Sequence, residues 1–306
     1  MDTISLIVPC FNEELNILPF YAKVKEVFSN IADADFKILF IDDGSKDNSY
    51  FEIQKLHDKD PRVGCISFSR NFGKEAALFS GIRAVTGDCA VILDADLQHP
   101  PETIIEMYKK WKEGYEVVEG IKSDRGKESF FHKIFAKLFY SVISKAIGMD
   151  MLNSSDFKLL DKKVIDVLAA LKERNTFFRA LSFWVGFNKT AVYYEVKERN
   201  AGKTKWSTRS LIRYAVNNVL CFSYVPLYIV SVIGAVLVLT GFVVAVDALI
   251  SFIRGMSTSG FPTLVFLLLI STGGIMLSLG IIGAYIAQIY DEVKGRPQYI
   301  VGKKID

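Results

Sequence analysis

Two apolar stretches near the end of this 306-residue chain constrain its architecture more than anything else in it. Residues 225–253 carry Asp247 as their only formal charge, and residues 261–289 carry none. Each exceeds the roughly 20 apolar residues an α-helix needs to cross a hydrocarbon core. The competing reading, two buried helices of a large soluble core, fits that length poorly. The loop between them, Arg254-Gly255-Met256-Ser257-Thr258-Ser259-Gly260, holds one basic residue, whereas Arg209 and Arg213 precede the pair and Lys294, Arg296, Lys303 and Lys304 follow it. The positive-inside rule then places both termini in the cytoplasm and the short loop outside. Asp247 falls toward the outer end of the first span and is assigned no chemistry. Gly273-Gly274 and Gly280-Ile281-Ile282-Gly283-Ala284 offer small surfaces for close packing, within the pair or between copies of the chain.

The rest of the chain is built differently. Up to about residue 220, short apolar runs alternate with charged helical stretches, the pattern of an α/β domain. The net charge of +3 gives no electrostatic case for a nucleic-acid partner. Cys10, Cys65, Cys89 and Cys221 are scattered without metal-ligand spacing and read as free thiols of a reducing compartment. Met1-Asp2-Thr3-Ile4 leads straight into a strand without the charged start of a signal peptide.

Four strand–helix units follow one another. Ile4–Val8 precedes a helix over 13–28, and 36–41 precedes one beginning near Asp47. Strand 63–68 precedes a helix over 73–85, and strand 89–93 precedes a proline pair that opens a helix at Glu102. Such alternation implies a parallel sheet with helices on both faces, and ligands bind outside the carboxyl ends of its strands. All four ends are polar: Pro9-Cys10-Phe11-Asn12-Glu13, Asp42-Asp43-Gly44-Ser45, Ser69-Arg70-Asn71-Phe72-Gly73-Lys74 and Asp94-Ala95-Asp96. Neither a dinucleotide GxGxxG nor a P-loop is present.

Residue chemistry suggests roles. Asp42 and Asp43 could accept from a base N–H and ribose hydroxyls, or cap the helix that follows. Lys74 and Arg70 could neutralise phosphate near a helix N-terminus, or be solvated. In an extended segment Asp96 and Gln98 would point to one side and could hold a divalent ion, with Asp94 contributing directly or through ribose or water. The alternative for Asp94 and Asp96 is a cap and a turn. Two further stretches are amphipathic. Residues 214–224, with apolar positions running over 211–220, make a helix with one apolar face suited to a membrane interface, and 132–147 fits an interfacial helix and a core helix equally.

Val8-Pro9-Cys10-Phe11-Asn12-Glu13, Ile41-Asp42-Asp43-Gly44-Ser45 and Asp94-Ala95-Asp96-Leu97-Gln98-His99-Pro100-Pro101 resemble, in order, the signatures of family 2 glycosyltransferases of the GT-A fold. Arg70-Asn71-Phe72-Gly73-Lys74 and Arg199-Asn200-Ala201-Gly202-Lys203-Thr204-Lys205-Trp206 narrow the likeness to polyprenyl-phosphate glycosyltransferases. These are the dolichyl-phosphate mannose synthases and, more closely, the bactoprenol glucosyltransferases with two C-terminal spans. The resemblance covers essentially the whole chain. It implies a GT-A, Rossmann-like α/β domain over 1–206, a juxtamembrane amphipathic helix over 207–224, two transmembrane helices over 225–290 and a basic cytosolic tail over 291–306. Pro9, Asn12, Glu13, Asp42, Asp43, Lys74 and Asp94 would bind the nucleotide sugar, and Asp94, Asp96 and Gln98 would hold Mg²⁺ or Mn²⁺. Asp96, Asp156, Arg125 and Lys205 would form the catalytic set. Ser154-Ser155 and Lys158 depart from the small residues and arginine usual around Asp156, and Thr204 replaces a more common serine.

The function so implied is inverting transfer of glucose or N-acetylglucosamine from a UDP-sugar to undecaprenyl phosphate. Its setting is a multi-pass enzyme of the bacterial inner membrane with a cytoplasmic catalytic domain, in contact with membrane lipid and forming a homo-oligomer, a tetramer. GDP-mannose as donor is the alternative. A processive polysaccharide synthase is disfavoured, because a Gln-x-x-Arg-Trp block is missing and two helices are too few for an enclosed pore. A silent membrane scaffold or nucleotide-sugar sensor is disfavoured by the intact set of carboxylates.

Overall fold

The computed structural model describes residues 1–123, 154–174, 176–195, 223–255 and 260–306. The amphipathic stretches 132–147 and 211–220, the loop 199–206, and Arg125, Lys203, Lys205 and Cys221 lie outside the described residues. The chain divides into two compact units, one of residues 1–207 with 296–306 and the other of residues 208–295.

The first unit opens with the four expected strand–helix pairs. They are β1 (Asp2–Cys10), α1 (Glu14–Phe28), β2 (Ala34–Asp42), α2 (Ser49–His57), β3 (Val63–Phe68), α3 (Lys74–Ala84), β4 (Cys89–Ile92) and α4 (Thr103–Lys112). There follow β5 (Val117–Lys122), β6 (Lys158–Asp161), α5 (Lys162–Ala170), α6 (Phe178–Trp184) and β7 (Lys189–Tyr194). After the second unit's helices, α7 (Val225–Ile253) and α8 (Phe261–Val293), the chain ends in β8 (Val301–Ile305).

The eight strands form one sheet in the order β7-β5-β6-β4-β1-β2-β3-β8. Its centre is parallel: β1 pairs with both β2 and β4, and β2 pairs with β3. The all-parallel expectation fails at two places. Strand β6 runs antiparallel to both β4 and β5, and β8 runs antiparallel to β3. The strand–helix alternation behind that expectation covers only the first four strands, so it does not fix the direction of β6 or β8.

Parallel strands covered on both faces read as continuous apolar runs. That is why Ile4, Leu6, Ile7 and Val8 are all fully buried. On one face Ile4, Leu6 and Val8 join Phe20 of α1 and Phe40 of β2, whose rings meet edge to face at 5.9 Å. Burying each such side chain stabilises the fold by about 1.5–3 kcal/mol. On the other face α3 approaches β1 so closely that a Cβ at Gly81 would come within 2.3 Å of the Ile7 side chain. Only a glycine fits there. Packing of this kind presents the four strand ends, with their polar residues, along one edge. The three described cysteines, Cys10, Cys65 and Cys89, are free and buried in the core.

In the second unit, α7 and α8 are both long and apolar enough to cross a membrane by length and composition, and their apolar windows are not buried within the protein. They meet where Gly274 faces Leu237, whose Cδ1 would lie 2.7 Å from an added Cβ. Gly274 thus serves the pair itself, while Gly273, Gly280 and Gly283 face open space. The hydroxyls of Ser231, Thr240 and Ser278 each donate to a carbonyl four residues back, which satisfies polar groups along otherwise greasy helices.

Candidate functional site

At the ends of β1 and β2 the two loops are bonded to each other. The Asp43 amide donates to the Cys10 carbonyl at 2.9 Å, the Asn12 amide to Ser45 Oγ at 2.9 Å, and the Lys46 amide to Asn12 Oδ1 at 2.8 Å. Asn12 adopts a left-handed conformation (φ 53°), which asparagine tolerates better than most residues. The Glu13 amide donates to Ser49 Oγ at 2.9 Å, and Glu13 Oε2 accepts from Asn16 at 2.6 Å. Gly44 is obligatory in this loop. Its φ is +69°, and a Cβ there would sit 2.4 Å from the Arg70 carbonyl carbon.

Asp42 and Asp43 are both buried, and neither caps α2, whose N-cap is Asn48. Asp42 accepts from Ser67 Oγ at 2.6 Å and from the Ser45 amide at 2.9 Å. Asp43 accepts from the amides of Phe72 (2.6 Å) and Gly73 (2.9 Å). Burial pushes the Asp43 carboxyl up, against the opposing pull of those two amides. The structure therefore brings Pro9, Asn12, Glu13, Asp42 and Asp43 together on adjacent strand ends, in a frame that ties β1, β2 and the β3–α3 loop.

Beyond β4 the acidic motif is a turn rather than the extended segment expected from sequence. Leu97 takes a left-handed conformation (φ 60°), and the Gln98 amide folds back to donate to Asp96 Oδ1 at 3.1 Å. The physical reason is the aspartate itself, whose short side chain captures a backbone N–H two residues on. Asp96 is buried. His99, on the same turn, lies flat against Phe157 at 5.1 Å and meets the Tyr194 ring edge-on at 5.7 Å. Burial pushes its imidazole pKa down.

Asp94 is half-buried and ion-paired. Lys74, the first residue of α3, places its Nζ 2.7 Å from Asp94 Oδ1 and 2.9 Å from Oδ2, and also 3.1 Å from Asp156 Oδ2. Asp156 is gripped from its other side by Arg179, with Nε 2.7 Å from Oδ1 and Nη2 3.1 Å from Oδ2. The result is a chain of alternating charge, Asp94–Lys74–Asp156–Arg179. For Lys74, burial favours the neutral amine, but the fields of Asp94 and Asp156 outweigh it and raise the pKa. For Asp156, burial is likewise overcome by Lys74 and Arg179, which hold the carboxyl far below the usual carboxylate range.

The antiparallel pairing of β6 on β4 makes this meeting unavoidable. Ile92 pairs with Lys158, so two residues beyond each partner stand Asp94 and Asp156. Behind Asp156, the buried Lys158 bonds Glu119 at 3.0 Å and Ser182 at 2.9 Å, while Glu119 also accepts from Ser154 Oγ and the Ser155 amide. Burial pulls the Lys158 pKa down, and Glu119 opposes that pull. The departures at Ser154, Ser155 and Lys158 thus form one satisfied cluster. Arg179, Glu119 and Glu75 were not singled out by the sequence. Each is a single charge in an ordinary helix or strand, with no spacing to mark it.

The donor set fits a hard cation of modest protein coordination. Among the described residues no group of three or more His, Cys, Asp or Glu could enclose a metal. Magnesium, however, is usually held by one or two carboxylates and completed by substrate phosphate and water. Asp96 and Gln98 offer oxygen donors of that kind, whereas both oxygens of Asp94 already bond Lys74.

A mostly parallel sheet with acidic residues at the ends of β2 and β4 agrees with the GT-A, Rossmann-like domain that the sequence resemblance implies. The chain belongs to glycosyl transferase family 2, whose family model matches residues 5–166. It is 42% identical to the uncharacterized glycosyltransferase YkcC of Bacillus subtilis (strain 168) over 98% of this chain and 93% of that one. It is 37% identical to the prophage bactoprenol glucosyl transferase homolog of Escherichia coli (strain K12), over 97% and 98% of the two chains. Among solved structures, a mannosyltransferase from Pyrobaculum calidifontis in complex with GDP-Man and Mn²⁺ aligns over 90% of this chain and 86% of that one, at 15% identity and a TM-score of 0.45.

Proposed function

We propose that this transferase moves a hexose, glucose before N-acetylglucosamine, from a UDP-sugar to undecaprenyl phosphate at the cytoplasmic face of a bacterial inner membrane. One observation carries the reading. The likeness to proteins named bactoprenol glucosyl transferase, at 36–37% identity, runs over 97–98% of this chain and so takes in both the acidic site and the two membrane-length helices.

The chemistry of the site supports it. A phosphate monoester has a second pKa near about 6, so the acceptor is already largely anionic at neutral pH and needs little help from a base. Asp156, held ionised between Lys74 and Arg179, suits a different task. It would orient a sugar hydroxyl or the acceptor, or stabilise positive charge growing at the anomeric carbon during an inverting displacement. Asp42, Asp43, Asn12 and Glu13 would frame the nucleotide, while Arg125, Lys203 and Lys205 would balance phosphate charge. Asp96 and Gln98 would hold Mg²⁺ or Mn²⁺, which when bound supplies Lewis-acid stabilisation of the departing diphosphate. Membrane anchoring by α7 and α8 would reduce the search for a lipid acceptor to a local one.

The test is transfer of label from UDP-glucose, UDP-N-acetylglucosamine or GDP-mannose to undecaprenyl phosphate by the full-length protein in detergent. The expected outcome is labelled lipid from UDP-glucose, lost with EDTA and restored by Mg²⁺ or Mn²⁺. Asp96→Asn is expected to lower turnover by about 100-fold. Transfer that Asp96→Asn and EDTA leave unchanged overturns the metal assignment, and no transfer from any of the three donors overturns the reaction.

A further inference from the structure

The charge chain at the end of β4 finishes on a residue that no sequence signature marks. Arg179 meets Asp156 through a fork of two N–H···O bonds, Nε to Oδ1 at 2.7 Å and Nη2 to Oδ2 at 3.1 Å. This forked geometry fixes the plane of a carboxylate as well as its position, which a lysine's point charge does not do. The side chain of Arg179 is itself held by its surroundings, at 28% exposure.

Its backbone is placed by a second contact. The amide of Phe178, one residue before, donates to Glu75 Oε2 at 2.8 Å, and Glu75 follows Lys74 on the first turn of α3. One tether between α3 and α6 thus brings both cations, Lys74 and Arg179, to the two sides of Asp156. Phe178 is fully buried, so the start of α6 is anchored by packing as well.

We infer that Arg179 is a positioning residue for sugar transfer: its guanidinium fork sets the orientation of the Asp156 carboxylate, and the Glu75–Phe178 tether sets the position of the fork. This rests on the proposed function, in which Asp156 is the carboxylate beside the transferred sugar. In this role Arg179 acts through Asp156. Asp156 keeps one orientation because Lys74 occupies its Oδ2 side while Arg179 spans both oxygens. Loss of Lys74 alone would leave the plane of the carboxylate defined, whereas loss of Arg179 would free it to rotate.

The experiment is a cycle of Arg179→Met, Arg179→Lys, Asp156→Asn and the double variant Arg179→Met/Asp156→Asn, in the full-length protein in detergent. Transfer from UDP-glucose to undecaprenyl phosphate is measured with kcat and KM determined separately. Arg179→Met is expected to lower kcat by about 10- to 100-fold, the cost of misplacing a group by about an ångström, while KM for UDP-glucose moves by less than about 3-fold. Arg179→Lys keeps the charge without the fork and falls between Met and wild type. In the Asp156→Asn background, Arg179→Met is expected to cost less than about 2-fold more, because its route to the chemistry is already gone. Wild-type kcat in Arg179→Met, or a loss that multiplies in full with Asp156→Asn, overturns the assignment. A loss confined to KM overturns it too.

If Arg179→Met does not fold, Arg179→Lys and its Asp156→Asn double carry the same cycle. Should the wild type transfer no sugar from any donor, the proposed function fails, and Arg179 is then judged on the midpoints of thermal unfolding. Shifts of the single variants that exceed the shift of the double by non-additivity support the pairing, and shifts that add in full overturn it.

Discussion

Asp60, just past the end of α2, shows how one side chain can carry a pH dependence. It accepts from Arg62 Nε at 2.9 Å, Arg62 Nη2 at 2.7 Å and the Tyr21 hydroxyl at 2.7 Å, while Arg62 also lies 4.2 Å from the Phe36 ring. The bonds from Arg62, aided by Tyr21 and opposed by burial, hold the carboxyl well below the usual carboxylate range. A depressed folded-state pKa gives stability that is full above the unfolded value, near about 3.9, and is lost as pH falls through the folded value. Asp60→Asn is expected to cost about 1.5–3 kcal/mol at pH 7. Its loss of stability on acidification is expected to be shallower than that of the wild type. Melting midpoints by tryptophan fluorescence from pH 7 down to pH 3 check both; parallel curves for the two proteins would remove Asp60 from the acid response. At this scale the site candidates Asp94, Asp96 and Asp156 could be named from the sequence, because their neighbours form recognisable blocks. Arg179, Glu75 and Asp60 were not, because a lone charge carries no information about the partner the fold will give it.

Among elements, β8 is the clearest case of structure adding to pattern. The end of the chain reads as a basic tail, since Lys303 and Lys304 interrupt a short run with no clear alternation. In the fold, Val301–Ile305 lies antiparallel on β3 and covers what would otherwise be an open sheet edge. The Tyr299 ring stacks on Phe68 at 4.8 Å, and the Ser69 amide donates to the Ile300 carbonyl at 2.9 Å. Gln298 accepts from Arg83 at 2.7 Å and donates to the carbonyls of Glu173 and Arg174. Lys303 is not simply solvated, because its ammonium lies 4.6 Å from the Tyr50 ring. The tail thus buttresses the β3–α3 segment whose amides hold Asp43. Tyr299→Ala is expected to destabilise the protein by about 1–3 kcal/mol and to weaken UDP binding. Calorimetric unfolding and a UDP titration read the two effects, and a variant indistinguishable from wild type in both would show that β8 supports nothing beyond itself. The helices and strands of the first four units were legible to within one or two residues at most ends, since each strand is built on a short apolar run that ends in polar residues. The antiparallel strands β6 and β8 were not, because nothing local in a strand specifies which neighbours it will pair with.

For the whole molecule, the two membrane-length helices predict behaviour in the cell. Their apolar surfaces are uncovered within the protein, so only lipid or another protein can shield them from water. The full chain is expected to stay in the membrane fraction through an alkaline carbonate wash and to need detergent for release. A chain recovered in the soluble wash would overturn the spanning assignment. Here composition was informative by itself. Length and hydrophobicity marked out two helices long and apolar enough to cross a membrane, because a spanning segment must satisfy its backbone internally. The order of polar strand ends likewise determined where a ligand edge would form, because parallel βα units place those ends side by side. What only the tertiary structure decided was the company each charge keeps. The antiparallel approach of β6 to β4 sets Asp156 opposite Asp94, and α3 and α6 deliver one cation to each side of Asp156. Charges interact through space over a few ångströms, and the chain alone does not specify which distant residues will come that near.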